Sequence, residues 1–259
     1  MTYINISGYL FRTLSDLDSM QKVLQSNALL WDLKGTILLS EEGINVFVCG
    51  LRESIDAFYG ILSKLNLKPI PFKESASITV PFDKMLVKIK QSIIVFDTCD
   101  ISPEKNPAPN VSPMIFKQWL DEDKPMIILD ARNTYEVQFG KFKNAIHLNI
   151  DHFRDFPKAI SNLPEEYKEQ TIVTYCTGGI RCEKAAPYLI AQGFKDVYQL
   201  EGGIISYLEQ FGKAHYEGEC FVFDKRISVD ANLNETDTSQ CIVCQGPIFK
   251  SNACFNCPP

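Results

Sequence analysis

Five β-branched or aromatic residues, Thr171-Ile172-Val173-Thr174-Tyr175, run without a break into Cys176-Thr177-Gly178-Gly179-Ile180-Arg181, and a helical pattern follows over residues 183–192. A buried strand that turns directly into a helix is the signature of an α/β layer. The surrounding residues repeat the alternation. Residues 126–129 read as a strand and 133–139 as a short helix; 196–200 read as a strand and 204–211 as a helix. The expected architecture is a central parallel sheet. In open sheets of this kind ligands bind beyond the carboxyl ends of the strands, which is where Cys176 falls.

The residues after Cys176 favour a thiolate. Gly178 and Gly179 let the loop curl so that successive amides point inward as an anion nest. The following helix presents its positive end, and Arg181 adds a full charge. Moving a cysteine from about 8.5 to about 6.5 takes roughly 2.7 kcal/mol, within reach of those effects combined. The bland alternative is a small buried residue ending a core strand, as many cysteines are. Two glycines and an arginine at fixed offsets argue against it.

The string CTGGIR resembles a rhodanese domain, as do the upstream Asp130-Ala131-Arg132-Asn133-Thr134-Tyr135-Glu136 with Gly140 and the downstream Leu200-Glu201-Gly202-Gly203-Ile204. The resemblance implies that Cys176 carries a persulfide, with Arg181 beside it. The loop Thr177, Gly178, Gly179 and Ile180 then holds the transferred sulfur or its donor. It also implies that Asp130, Arg132 and Glu136 brace the loop and helix. The related phosphatases space cysteine and arginine as C-x5-R, whereas Cys176 and Arg181 are C-x4-R, a loop too tight for phosphate. Cys182 either resolves a persulfide on Cys176 by thiol exchange or simply fills the first helical turn.

Residues 1–95 read as β-α-β-β-α-β, the order of a ferredoxin-like domain. Strands fall at residues 3–11, 36–39, 44–49 and 72–78, the middle two joined by Ser40-Glu41-Glu42-Gly43. One helix carries Leu17, Met20, Val23, Leu24 and Ala28, with Ser15 as its expected N-cap. A second carries Ile55, Phe58, Tyr59, Ile61, Leu62 and Leu65. Lys84, Lys88 and Lys90 dot a further strand-like run, which reads as a solvated face or as a row of phosphate contacts. Residues 96–112, with Pro103, Pro107 and Pro109, read as a linker, residues 113–216 as the rhodanese domain and 217–259 as a cysteine-rich tail.

The nine cysteines cannot all pair internally. The opening residues read as a strand, without a secretory leader, and no run of 18 apolar residues suggests a membrane span. The expected compartment is the cytoplasm, where clustered thiols bind metals or catalyse rather than form disulfides. Cys241, Cys244, Cys254 and Cys257 give C-x2-C-x9-C-x2-C, four thiolates suited to a structural zinc. A redox thiol pair, an iron–sulfur site or a frayed tail are the competing readings. Cys49, Cys99 and Cys220 read as core or incidental residues.

The combination of a ferredoxin-like domain containing Ser40-Glu41-Glu42-Gly43-Ile44-Asn45, a rhodanese domain with CTGGIRCEKA and a cysteine-rich tail resembles the rhodanese-containing tRNA uridine hydroxylases. The resemblance spans essentially the whole chain. It implies an oxidoreductase that converts the wobble-position uridine of tRNA to 5-hydroxyuridine with molecular oxygen. Cys176 would be the essential thiol and the N-terminal domain a candidate tRNA-binding element for the anticodon loop. Rhodanese-type transfer of sulfur from thiosulfate or a protein donor is the alternative. No flavin motif or iron triad accounts for the reductant, so a sulfur or electron donor protein is an expected partner. The net charge of −6 requires that any tRNA contact be local.

Overall fold

Alternation along the first strand sets up the N-terminal unit. The computed structural model describes residues 2–97 and 101–249 together with 254 and 257. Residues 1–94 and 95–259 form two compact units. The first contains β1 (Tyr3–Phe11), α1 (Leu17–Leu30), β2 (Lys34–Ser40), β3 (Gly43–Gly50), α2 (Arg52–Lys64), β4 (Lys73–Ser77) and β5 (Met85–Ile89). Its sheet order is β4-β1-β3-β2-β5. The first four strands have the ferredoxin-like arrangement, and β5 extends it by pairing parallel to β2. Met85 and Val87 of β5 join Ile37, Val46 and Phe58 in the core, while Lys84, Lys88 and Lys90 face outward.

Helix positions follow the 3.6-residue period: Leu24 and Ala28 of α1 and Ile55, Phe58 and Leu62 of α2 are buried. The expected cap of α1 is corrected. Asp16, not Ser15, occupies the N-cap position, at φ 56° and without a side-chain cap bond. A short polar residue tolerates that left-handed backbone better than most.

The second unit contains β6 (Asn110–Val111), α3 (Pro113–Asp121), β7 (Ile127–Asp130), α4 (Thr134–Val137), β8 (Gly140–Phe142), β9 (Ile146–His147), α5 (Phe156–Ile160), β10 (Thr171–Tyr175), α6 (Cys182–Ala191), β11 (Asp196–Leu200) and α7 (Gly203–Phe211). Its main sheet, in the order β6-β11-β10-β7-β9, is parallel throughout. β10 is therefore the central strand, buried on both faces, which explains its unbroken β-branched composition.

Two sequence boundaries shift. The stretch read as a linker is partly structured: Phe96 packs on Phe153 and Tyr188 at ring separations of 5.1 and 5.6 Å, and β6 adds a strand to the sheet. The first part of the tail also belongs to this unit. β12 (Tyr216–Gly218) pairs with β8, and β13 (Cys220–Phe221) pairs with β14 (Ser228–Val229). Tyr216, Cys220, Val222 and Val229 share a core with Val173 and Tyr175. The Glu219 carboxylate ties the segment together by accepting from Ser228, Thr236 and Thr238 at 2.7, 3.0 and 3.1 Å. β15 (Ser239–Gln240) and β16 (Pro247–Ile248) form the last hairpin. Cys49 and Cys220 are buried, and Cys99 lies outside the described residues.

Candidate functional site

The site grows from the carboxyl ends of two adjacent strands. Tyr175 of β10 stands opposite Asp130 of β7 in the sheet, and the chain leaves β10 at Cys176. Gly179, at φ 100°, turns its amide back so that its N–H donates to Cys176 Sγ at 3.1 Å. The Arg181 amide aims at the same sulfur. This is the nest expected from the paired glycines.

A second helix closes the loop from behind. At the start of α7 the Ile204 and Ile205 amides donate to the carbonyls of Cys176 and Thr177 at 3.0 and 3.1 Å. Gly203 makes this approach possible. It sits at φ 65°, and a Cβ there would lie 2.4 Å from the Cys176 carbonyl oxygen. Only glycine fits both the left-handed backbone and the contact. At Gly178 a Cβ would meet nothing within 4 Å, and Gly178 and Ile180 are the partly exposed members of the loop. They mark its open side.

Two buried ion pairs hold the frame. The Arg181 guanidinium donates to both oxygens of Glu136 at 2.6 Å, and the Thr177 hydroxyl donates to the same carboxylate at 3.4 Å. Glu136 also accepts from the Asn133 amide at the start of α4. Arg132 forks onto Asp130 through Nε and Nη2, reaches the Gly140 carbonyl at 2.7 Å, and Tyr175 donates its phenol to Asp130 at 2.6 Å. Asp130, Arg132 and Glu136 are fully buried. Burial opposes ionisation of Asp130, but the Arg132 charge and the Arg132 and Tyr175 hydrogen bonds hold its carboxyl below the usual range.

The thiol chemistry differs from the sequence expectation in one respect. Arg181 does not present a bare charge to Cys176, because its guanidinium is matched by Glu136. Burial pushes the Cys176 thiol up. The Cys182 thiol, the Arg181 charge and the Arg181 and Gly179 amides outweigh it, bringing Cys176 down to about 5. Burial and the neighbouring Cys176 sulfur push Cys182 in the opposite direction. Cys182 does open α6, as its position in the sequence suggested, but its sulfur is turned onto Cys176.

Sequence reasoning missed Tyr175, the role of Gly203, and the aromatic residues that the tail brings to the loop. Phe221 packs on Tyr135 and Phe139, and Phe223 packs on Phe221 with the Arg181 guanidinium 5.7 Å from its ring centre. The Gly202-Gly203 pair was the available signal for the α7 contact. Nothing local in the sequence links Phe223 to a loop about forty residues earlier.

The four tail cysteines converge. Cys241, Cys244, Cys254 and Cys257 place their sulfurs within 4.8 Å of one another, with Cys241 and Cys257 at 3.8 Å and Cys244 and Cys254 at 3.3 Å. Tetrahedral zinc with Zn–S bonds of about 2.3 Å needs sulfurs roughly 3.8 Å apart, so the set fits a single metal ion. The turn after Cys241 is made locally: the Gln245 amide donates to the Cys241 carbonyl and the Cys241 amide to the Gly246 carbonyl, both at 2.9 Å. Among the described residues no helix is long and apolar enough to cross a membrane.

Residues 3–93 match the UPF0176 acylphosphatase like domain and residues 112–210 the rhodanese-like domain. Over 254 residues the chain is 43% identical to the tRNA uridine(34) hydroxylase of Cupriavidus metallidurans, spanning 96% of this chain and 90% of that one. It is 40% identical to the protein of the same name from Paraburkholderia xenovorans, spanning 100% and 97%. Among solved structures, the rhodanese-like domain of an Anabaena protein is 25% identical, with a TM-score of 0.36, over 42% of this chain and 79% of that one. Identity at this level over nearly the full length of both curated relatives is enough to assign membership. The chain belongs to the tRNA uridine(34) hydroxylase family.

Proposed function

We propose that this protein hydroxylates C5 of the wobble-position uridine of tRNA, with molecular oxygen as cosubstrate and Cys176 as the essential thiol. The observation that carries the reading is a buried cysteine whose sulfur accepts from the Gly179 amide and whose ionisation its surroundings favour, within a chain of the hydroxylase family. A buried thiolate is a strong nucleophile and electron donor near neutral pH. Cys176 acts on the pyrimidine ring as the thiolate or as its persulfide. Thr177, Gly178, Gly179 and Ile180 shape the pocket around the sulfur. Arg181 fixes the loop through Glu136, and Asp130 and Arg132 fix the strand ends beneath it. Family membership favours this reading over sulfur transfer to cyanide or a thiol.

Substrate capture follows from chemistry on each unit. Lys84, Lys88 and Lys90 on the N-terminal sheet provide phosphate contacts on an otherwise acidic protein. Phe223, 46% exposed beside Arg181, offers an aromatic face for an unstacked anticodon-loop base. The reaction takes place in the cytoplasm, with a thiol or protein donor restoring the reduced enzyme. The direct test incubates purified full chain with tRNA lacking the modification, in air and under nitrogen, and analyses the nucleosides. The expected product is 5-hydroxyuridine in air alone; its absence in air, with thiol present, sinks the reading.

Zinc is the ion assigned to the tail cysteines, with a structural role, because four thiolates leave no open coordination position. Metal analysis is expected to find one zinc per chain, lost in Cys241→Ser and Cys244→Ser. Chelation should make residues 239–257 sensitive to protease, since a segment this short draws its folding energy from the metal. A metal-free protein with an equally resistant tail would refute the assignment.

A further inference from the structure

Cys176 closes β10 and Cys182 opens α6, and the loop between them folds back to set Cys182 against the end of the strand that carries Cys176. The Cys182 amide donates to the Gly179 carbonyl at 2.9 Å while the Gly179 amide donates to Cys176 Sγ at 3.1 Å, so one tight turn serves both cysteines. The Thr174 hydroxyl, two residues before Cys176 on the same face of β10, lies 3.9 Å from the Cys182 sulfur, and each of the two thiols acts on the ionisation of the other. Cys176 is 1% exposed and Cys182 is completely buried. A residue that merely filled the first helical turn would not need to point a sulfur at the reactive one. Cys220, another buried thiol of this unit, is instead directed at the Phe221 carbonyl at 3.7 Å.

Hydroxylation has an electron deficit that this pair can meet. Reducing dioxygen to the level of water takes four electrons, and converting C5–H to C5–OH releases two. We propose that Cys176 and Cys182 form the dithiol that supplies the other two, becoming a disulfide in each turnover. This inference rests on the hydroxylase reading above. The step balances: uridine, dioxygen and two thiols give 5-hydroxyuridine, water and one disulfide. The O–O bond breaks, one oxygen forms the new C–O bond, and the other leaves as water with the two thiol protons. The sulfurs are oxidised and dioxygen is reduced. An external thiol then restores the pair by exchange through a mixed disulfide.

The loop has the freedom the step needs. A disulfide requires the sulfurs to close to about 2.05 Å. Gly178 has open space around it and Gly179 already occupies a positive φ, so neither residue puts a side chain in the way of the turn. The two thiols are also shifted in opposite directions, Cys176 down and Cys182 up, which favours a thiolate on the first and a thiol on the second.

The experiment is a single turnover. Pre-reduced, zinc-loaded full chain, freed of small thiols, is mixed with excess unmodified tRNA in air. The expected result is a burst of one 5-hydroxyuridine per chain together with one Cys176–Cys182 disulfide. Trypsin cuts after Arg181 and so separates the two cysteines. The disulfide therefore appears in an unreduced digest as the peptide ending at Arg181 joined to Cys182-Glu183-Lys184. Cys182→Ser and Cys182→Ala should each lower the burst by about tenfold or more. Product without the disulfide in the wild-type protein, or a full burst from a folded Cys182→Ser, overturns the dithiol role and leaves the hydroxylase reading standing. No 5-hydroxyuridine from the wild type, even with thiol added, overturns both.

Discussion

Cells lacking this protein and complemented with Cys176→Ala are expected to contain no more 5-hydroxyuridine in their tRNA than the uncomplemented deletion. Purified Cys176→Ala should lose at least about a hundredfold in product formation, since it removes the group that reacts rather than one that positions it. Cys176→Ser should fare no better. Its hydroxyl fits the nest of Gly179 and Arg181 amides but stays protonated, where the thiol is held below its ordinary value and ionises far more readily. Neither substitution should unfold the protein, because the loop is held by the Arg181–Glu136 fork and by the α7 amides on its carbonyls, not by the sulfur. Product at more than a tenth of the wild-type rate from a thiol-free Cys176→Ala preparation would remove Cys176 from the reaction. Thiolate absorbance near 240 nm gives an independent check. The part that disappears in Cys176→Ala should persist in the wild type well below the ordinary cysteine range of about 8.5.

The largest effect on stability is expected at Asp130. Asp130→Ala leaves the Arg132 guanidinium in a fully buried position without its counter-ion and deprives the Tyr175 phenol of its acceptor. Breaking a buried pair from one side costs about 3–5 kcal/mol, a large share of the roughly 5–15 kcal/mol that stabilises a typical domain. Urea denaturation followed by Trp119 in a Trp31→Phe background would report on the second unit, since these are the two tryptophans and Trp119 packs on Tyr198 there. The double change Asp130→Leu with Arg132→Met should recover part of the loss, because two apolar side chains leave no stranded charge. Acid should narrow the gap between wild type and Asp130→Ala. The Asp130 carboxyl is held below its ordinary value, so its contribution is present above about pH 4 and is lost as pH falls through the lowered value. An Asp130→Ala protein as stable as wild type at neutral pH would show that the pair contributes nothing net.

The parts legible in the sequence were those encoded over a few neighbouring residues. The strand and loop through Cys176 and Arg181 announced themselves because β-branched residues, paired glycines and an arginine follow one another directly. The βαββαβ order of the N-terminal unit was readable for the same reason, and the structure adds β5 parallel to β2. The cap of α1 was not: Ser15 and Asp16 are both plausible caps, and backbone geometry chose Asp16. The packing of Phe96 and of residues 216–229 was not legible either, because both find their partners far along the chain.

By itself, the sequence determined which chemistry was available: one cysteine in a loop built from glycines, four cysteines at metal-ligand spacing, and a parallel sheet to carry the loop. The tertiary structure decided how that chemistry is tuned. It matched Arg181 to Glu136 and so reduced the charge Arg181 was expected to lend the thiolate. It set Asp130 against Tyr175 across two strands, placed α7 behind the loop at Gly203, and turned Cys182 onto Cys176. Local sequence specifies the backbone's φ/ψ preferences and turn residues, whereas a thiol's ionisation depends on charges and dipoles within a few ångströms, most of them brought there by residues distant in the chain.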